Sequence, residues 1–160
     1  MIKLSKLTDY AVVILVDLAR QSQISSDELQ SAAKIAKRTA LPEPTVSKIL
    51  KILSRADIVN SIRGAYGGYS LPVAPQDLSV RRIIEAIDGP IALTSCVDQA
   101  ETCCSAMETC NVSGKWDKVN EAIVTSLDTI TLIDMMPREN ANYITMTTDQ
   151  LLSDENKARA

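Results

Sequence analysis

Four cysteines stand within 15 residues of one another, and the rest of the chain contains none. Six residues separate Cys96 from the adjacent pair Cys103 and Cys104, and five separate that pair from Cys110. This spacing lacks the paired Cys-x2-Cys units of structural zinc sites. Thiolates on an irregular loop are soft ligands that can hold an iron–sulfur cluster, although free or zinc-bound thiols fit the spacing equally well. Since two adjacent cysteines do not easily bind one iron, we expect three loop ligands and one further ligand.

Histidine is absent from the chain. Its absence excludes Ser-His and Cys-His catalytic arrangements and every metal site that uses a histidine. The sequence also lacks a phosphate-binding loop and a paired-carboxylate motif, so no coherent active site can be assembled. We therefore predict that the protein is not an enzyme.

The net charge of −3 conceals an uneven distribution. Residues 1–84 carry 12 Lys and Arg against 7 Asp and Glu, a net +5, whereas residues 85–160 carry 5 against 13, a net −8. Seven basic residues are concentrated in the stretch 34–63: Lys34, Lys37, Arg38, Lys48, Lys51, Arg55 and Arg63. Such a cluster is typical of a solvated helix surface, but a local basic face also suits contact with phosphates.

The elements that position these residues begin with two helices. Thr8 is a plausible N-cap for the apolar run that follows it, and Asp9 suits the first turn. Ser25 and Glu28 have the spacing of a capping box, which predicts a second helix over residues 26–38. With no Phe and only 3% aromatic residues, the core must consist of aliphatic side chains, which suits helix packing.

A third helix is predicted over residues 44–55, because Pro44 suits a first helical turn. Four residues form its buried stripe at helical spacing: Val46, Ile49, Leu50 and Leu53. Four others fall on its outward faces: Thr45, Ser47, Lys48 and Lys51. Asp57 is expected in the turn that ends this helix, where Gly is more usual.

The pattern then changes to two short strands, residues 58–62 and 68–71. The glycine-rich stretch between them predicts a β-hairpin, with Arg63 and Tyr66 at its tip. Helices followed by such a hairpin predict a mainly α protein with a winged helix-turn-helix, which we assign to residues 1–84 as the DNA-binding domain.

The second half of the chain is predicted to carry the cysteine loop and a dimer interface. A helix over 79–88 ends at Gly89, residues 91–112 are irregular, and a long helix is expected over 115–136. Apolar residues recur along that helix every three or four positions, as in a coiled-coil seam: Trp116, Val119, Ile123, Leu127, Ile130 and Ile133. We expect this seam to form a homodimer, within a unit spanning residues 85–136 that is followed by a polar tail over 137–160.

No apolar run approaches the ~20 residues of a membrane span, and the N-terminus lacks the features of a signal peptide. We therefore expect a cytoplasmic protein without membrane contact, whose thiols stay reduced.

Four motifs in the sequence resemble the Rrf2 family of iron–sulfur transcription regulators. They begin at Leu4 (LSKLTDYA), Pro44 (PTVSKILK), Arg63 (RGAYGGY) and Gly89 (GPIALT), and the resemblance spans about residues 1–136. Within the family, the chain looks most similar to regulators of the sulfur-mobilisation (Suf) cluster-assembly operon. The resemblance implies a homodimer that binds double-stranded operator DNA, with affinity switched by an iron–sulfur cluster (2Fe–2S or 4Fe–4S).

The resemblance also implies roles for individual residues. Cys96 and Cys110 match the first and third cluster ligands, and Cys104 is favoured over Cys103 as the second. Some relatives have a His three residues after the third Cys, but this chain has Ser113 there. In other relatives an acidic residue of the first helix is a ligand, and Asp9, from the partner subunit, matches it; the alternative role for Asp9 is to offset the helix dipole.

The leading hypothesis is therefore a transcription regulator, expected to be a repressor, that senses cluster, iron, redox or nitric-oxide status and controls iron–sulfur assembly genes. Residues Thr45, Ser47, Lys48 and Lys51 would enter the major groove, and Arg63 with Tyr66 would reach the minor groove. The alternative is a non-DNA iron–sulfur electron carrier or cluster scaffold.

Overall fold

The computed structural model of the chain describes residues 3–24, 29–64, 66–97 and 109–137. Over these residues the chain is mainly helical, with one two-stranded antiparallel sheet. In chain order the elements are α1 (Lys6–Ile24), α2 (Ala32–Thr39), α3 (Glu43–Arg55), β1 (Asn60–Ile62), β2 (Gly68–Ser70), α4 (Val80–Asp88), α5 (Asp117–Thr129) and α6 (Leu132–Met135). The arrangement of α1–α3 and the hairpin confirms the predicted winged helix-turn-helix.

Helix α1 starts earlier than predicted, because Ser5 caps it. The Ser5 hydroxyl oxygen accepts a hydrogen bond from the Thr8 backbone amide at 3.2 Å, so the prediction of Thr8 as N-cap is wrong. Thr8 lies in the first turn and is buried. Its hydroxyl donates to the Asp88 carboxylate at 2.7 Å, which joins the start of α1 to the end of α4.

Helix α2 begins later than the predicted residue 26. Ser31 is its N-cap and accepts a hydrogen bond from the Lys34 amide. The residue before it, Gln30, instead pairs with Tyr69 of β2, each backbone amide donating to the other's carbonyl at 2.9 Å. A backbone paired with a strand cannot also make helical bonds, so the helix starts only after this bridge. The predicted capping residues Ser25 and Glu28 lie outside the described residues.

Helix α3 agrees with the prediction, and the hairpin forms with shorter strands than predicted, 60–62 and 68–70 instead of 58–62 and 68–71, because the amides of Ile58 and Val59 bond the Leu53 carbonyl in the turn after α3. The four residues of the predicted stripe are fully buried: Val46, Ile49, Leu50 and Leu53. Asp57 adopts the left-handed conformation, with φ of 54°, as predicted for the turn after this helix. Strands β1 and β2 pair antiparallel, with Ser61 opposite Tyr69.

One aliphatic core joins these elements. It is built from α1, α2 and α3 together with residues of the turn after α3, of the segment before α4, of α4 and of α6: Ala11, Ile14, Leu15, Leu18, Ala19, Ile35, Ala36, Val46, Ile49, Leu50, Leu53, Ile58, Val59, Leu78, Ile83 and Leu132. The participation of Leu132 fixes the C-terminal part of the chain to the winged domain.

The long helix predicted over 115–136 is instead two helices, so this prediction is wrong. Between α5 and α6 the backbone is extended and pairs with the chain at the start of α4: the Val80 amide donates to the Ile130 carbonyl and the Leu132 amide to the Leu78 carbonyl, both at 2.8 Å. Thr131 and Asp134 then form a capping box for α6. The Thr-x-x-Asp spacing was a signal in the sequence for this second start.

None of the described helices is long and apolar enough to cross a membrane. The predicted polar tail, 137–160, lies outside the described residues from position 138 onward.

Candidate DNA-binding face and cysteine loop

The outward side of α3 presents a row of polar and basic side chains. Lys48 and Lys51 are exposed, and Thr45 and Ser47 are half-buried beside them. Because the opposite side of α3 is locked into the core, the helix cannot rotate, and these four residues have a fixed direction toward solvent. A helix held in this way can present its side chains to base edges and phosphates.

The wing lies beside the C-terminal half of α3. Arg63 is exposed at the end of β1, and Tyr66 is 96% exposed at the tip. A groove of about 630 Å³ separates the wing from α3 and is lined by Lys51, Arg55 and Arg63. Three cations from two elements therefore border one surface concavity, which suits a polyanion.

Two contacts fix the wing in this position. The backbone of Tyr69 pairs with Gln30 ahead of α2, and the Ser54 hydroxyl on α3 lies 3.0 Å from the Ser61 hydroxyl on β1. The hairpin is thus attached to both sides of the helix-turn-helix, which explains how a sheet of two three-residue strands is held in place.

Arg38 belongs to the basic stretch of the sequence but has a structural partner. Its guanidinium donates to both carboxylate oxygens of Asp17 on α1, at 2.7 and 2.9 Å, and to the Gln30 side-chain oxygen at 2.9 Å. This bidentate pair joins α1 to α2. Sequence reasoning missed the pair, because Asp17 lies 21 residues away.

The cysteine segment is described at its two ends. Cys96 and Cys110 are both free, half-buried thiols, and the Cys96 sulfur lies 3.1 Å from the Thr94 hydroxyl. Cys103 and Cys104 lie outside the described residues. Among the residues that are described, no three potential metal ligands come together. Two free thiols that flank the segment of the other two cysteines nevertheless have the donor chemistry that an iron–sulfur cluster requires.

A buried asparagine of α5 holds the start of this loop. The Asn120 side-chain amide donates to the Ile91 carbonyl at 2.9 Å, and its oxygen accepts from the Leu93 amide at 3.0 Å. Only 5% of Asn120 is exposed. Sequence reasoning missed this residue, because a single Asn on a helix carries no sign of a partner 27 residues away.

Asp9 is exposed in the first turn of α1. It borders a cavity of about 320 Å³ together with Leu4, Val12, Ile84 and Met135. Among the described lining residues, none comes from the cysteine loop. Within one subunit, the described part of the chain therefore does not bring Asp9 together with Cys96 or Cys110.

Asp88, the last residue of α4, accepts hydrogen bonds from the Ser5 amide and the Thr8 hydroxyl. Burial opposes the charged carboxylate, but the hydrogen bonds from Ser5 and Thr8 outweigh it, and the pKa of Asp88 lies below its ordinary value. The ionised form is therefore the one that joins α4 to α1.

The apolar seam of the C-terminal region remains largely uncovered in the single chain. Four of its residues are exposed by 40–44%: Trp116, Val119, Ile130 and Ile133. Ile123 and Leu127 are half-buried. Leu132, which did not belong to the predicted seam, is the fully buried residue of α6. The break between α5 and α6 thus divides the apolar side chains between the core and the surface.

Comparison with known proteins agrees with this architecture. The family model Rrf2, described as an iron-dependent transcriptional regulator, matches residues 4–138. The HTH-type transcriptional regulator IscR of Photobacterium profundum is 31% identical over 144 residues, which cover 90% of this chain and 81% of the relative.

Solved structures show the same fold. The global cysteine regulator CymR of B. subtilis superposes with a TM-score of 0.62 at 29% identity, over 84% of this chain and 96% of that one. IscR of T. potens superposes with a TM-score of 0.57 at 29% identity, over 99% and 92%. These relatives are regulators and not enzymes, in agreement with the prediction. The chain belongs to the Rrf2 family of DNA-binding transcription regulators.

Proposed function

We propose that this chain is a homodimeric repressor whose affinity for operator DNA is set by an iron–sulfur cluster on the cysteine loop. The observation that carries the proposal is the pair of free, half-buried thiols, Cys96 and Cys110, the first of which follows a segment bonded to α5. The similarity of the chain to IscR, together with the resemblance of its motifs to regulators of the Suf operon, supports iron–sulfur assembly genes as targets. Cytoplasmic thiols stay reduced and available as ligands.

In this proposal Cys96, Cys104 and Cys110 hold the cluster, and Cys103 is the alternative to Cys104. The chain has no histidine to supply the remaining ligand, and we assign it to Asp9 of the partner subunit, which matches the acidic ligand that the family resemblance implies. A bound cluster supplies a centre that responds to oxidants, iron supply and nitric oxide. Because a carboxylate is easily displaced from iron, Asp9 would be a more labile ligand than the cysteines.

The DNA contacts are assigned to α3 and the wing. Thr45, Ser47, Lys48 and Lys51 would lie in the major groove, where Ser47 and Lys48 would read bases and Lys51 would meet a phosphate. Arg63 and Tyr66 would reach the neighbouring minor groove. The exposure of Lys48, Lys51, Arg63 and Tyr66 supports this assignment.

The seam of α5 and α6 would form the homodimer. Its exposed apolar side chains lie on the helix that also holds the cysteine loop through Asn120. A change in the loop would therefore shift α5, and with it the distance between the two DNA-binding heads. Loop state and DNA affinity would be coupled through the relative populations of two dimer arrangements.

The decisive experiment compares holo and apo protein purified under anaerobic conditions. Iron content and absorption spectra are measured first, and binding to duplex operator DNA is then titrated at several salt concentrations with each form. We expect Cys96→Ala and Cys110→Ala to abolish the chromophore, and Cys103→Ala to be tolerated while Cys104→Ala is not. Stoichiometric zinc without iron contradicts the cluster, and equal DNA affinity with and without iron favours a cluster-free regulator that resembles CymR instead.

The DNA face is tested in the same titrations. Lys51→Ala should reduce the slope of log K against log salt by about 2 in a dimer, because each phosphate contact contributes roughly 0.9. Lys118→Ala is the matched control, since Lys118 is also exposed but lies on α5. An unchanged slope for Lys51→Ala would remove Lys51 from the interface.

A further inference from the structure

Helix α5 buries an amide where most helices bury an apolar side chain. Every residue of α5 is described, and Asn120 is the one that is buried, whereas Val119 beside it is 44% exposed. Removing an amide from water costs free energy unless hydrogen bonds replace the lost water contacts. Both polar atoms of Asn120 are hydrogen-bonded, so this position is built for a specific partner.

That partner is the backbone immediately before the first cysteine. Asn120 bonds the Ile91 carbonyl and the Leu93 amide, two residues apart, as a neighbouring strand would. From Leu93 the chain reaches Cys96 in three residues. Within that stretch the Val97 amide donates to the Thr94 carbonyl at 3.3 Å, which closes a turn around Cys96.

The far side of this turn is buried as well. Val97 is 6% exposed, and it lines the same cavity of about 380 Å³ as Asn120. The segment is bonded to α5 at Leu93, and at Val97 it is buried beside the cavity that α5 lines. Cys96 lies between these two positions, and its half-buried sulfur is 3.1 Å from the Thr94 hydroxyl.

We propose that Asn120 is a positioning residue. Its side-chain hydrogen bonds to the Ile91 carbonyl and the Leu93 amide hold Cys96 in place for cluster ligation. The proposal rests on the proposed function insofar as Cys96 must be a ligand. Because Asn120 lies on α5, it is also the rigid link from the first ligand to the helix of the apolar seam.

Asn120→Asp tests the amide with almost no change of shape. The Leu93 amide keeps its acceptor, but a carboxylate oxygen would face the Ile91 carbonyl in place of the donating nitrogen. One buried hydrogen bond is lost and replaced by repulsion, so local opening of the segment should rise about tenfold or more, the equivalent of ~1.4 kcal/mol. Asn60→Asp, in the exposed strand β1, makes the same chemical change as a control.

The first readout uses apo protein and needs no cluster. Iodoacetamide alkylation of Cys96 and Cys110 is followed separately by peptide mass spectrometry. We expect the rate at Cys96 to rise about tenfold, in line with the opening equilibrium, while Cys110 stays within about twofold of wild type. Equal acceleration at both cysteines would show general loosening and would overturn a positioning role for Asn120.

The second readout uses reconstituted protein under anaerobic conditions. Asn120→Asp should shift the visible absorption spectrum and shorten the half-life of the chromophore in air at least threefold, whereas Asn60→Asp should match wild type. If Asn120→Asp fails to fold by circular dichroism, Asn120→Ser, which keeps one donor and acceptor, decides the same two measurements. If a folded Asn120 variant shows the alkylation rates and the spectrum of the wild type, the inference is refuted. If the wild-type protein itself takes up no iron, the proposed function is refuted, and the alkylation rates alone decide whether Asn120 places Cys96.

Discussion

The turn of the wing tolerates no side chain at Gly67, and Gly67→Ala should disable DNA binding without unfolding the protein. A Cβ at this position would collide with the Ile62 carbonyl oxygen and would lie 2.9 Å from the Arg63 carbonyl carbon and 3.0 Å from the Gly64 nitrogen. All three atoms belong to the backbone, so no side-chain rotation can relieve the overlap.

The cost of this substitution should fall on the wing itself. Gly67 donates a backbone hydrogen bond to Gly64 at 3.0 Å, and opening the turn to admit a methyl group breaks it. Overpacking of this kind costs about 1–3 kcal/mol. Since the described residues of the turn lie outside the core, we expect the rest of the fold to persist, and the melting temperature to fall by about 2–4 °C for each kcal/mol lost.

Operator affinity should respond much more strongly than stability. Opening the turn moves Arg63 away from the groove that it shares with Lys51 and Arg55. We expect the Kd for operator DNA to rise at least about tenfold, ~1.4 kcal/mol, with the oligomeric state unchanged. Fluorescence anisotropy with a labelled duplex measures the first quantity and analytical ultracentrifugation the second. Ser70→Ala, on the neighbouring strand β2, is the control, and wild-type affinity of Gly67→Ala would refute a role for the wing in DNA binding.

Three further substitutions test other parts of the molecule. Ile133→Glu places a carboxylate in the apolar seam and should weaken the dimer at least about a hundredfold, ~2.8 kcal/mol, by sedimentation analysis, whereas Ile24→Glu, at the 79% exposed end of α1, should not. Thr8→Val removes the 2.7 Å bond to Asp88 and should lower the free energy of unfolding by about 1 kcal/mol in urea titrations. Because the pKa of Asp88 is lowered in the folded state, its contribution to stability is present above an unfolded pKa of about 3.9 and is lost as the pH falls toward the folded value. On acidification, wild type should therefore lose more stability than Thr8→Val. Parallel curves of stability against pH for the two proteins would contradict this. Asp9→Ala should keep the chromophore but alter its spectrum and its effect on operator affinity, and an unchanged spectrum and unchanged switching would leave Asp9 only its helix-dipole role.

Local sequence patterns determined the winged helix-turn-helix. The spacing of Val46, Ile49, Leu50 and Leu53 defines which side of α3 faces the core, because a helix repeats every 3.6 residues whatever its surroundings. Glycines between two short apolar runs define the hairpin for a similar reason, since a tight turn needs positive φ angles that glycine adopts without steric cost. The cysteine spacing was equally visible, because ligand chemistry depends on residue type before it depends on position.

Contacts between residues distant in sequence decided the rest. The helix predicted over 115–136 breaks because Ile130 and Leu132 find backbone partners at Val80 and Leu78, and α2 starts late because Gln30 pairs with Tyr69. In both places, pairing with a strand-like neighbour competes with helical hydrogen bonding. The local sequence does not predict which distant segment will be that neighbour.

The polar side chains follow the same division. Thr8 is a residue type typical of an N-cap, and Asn120 is one typical of an exposed helix surface. In the structure, however, Thr8 bonds Asp88, and Asn120 holds the segment before Cys96. A hydroxyl or an amide forms equally good hydrogen bonds with many partners, so its type alone does not select one. Burial decides: once the packed core removes these groups from water, each must take the partner that the fold places within reach.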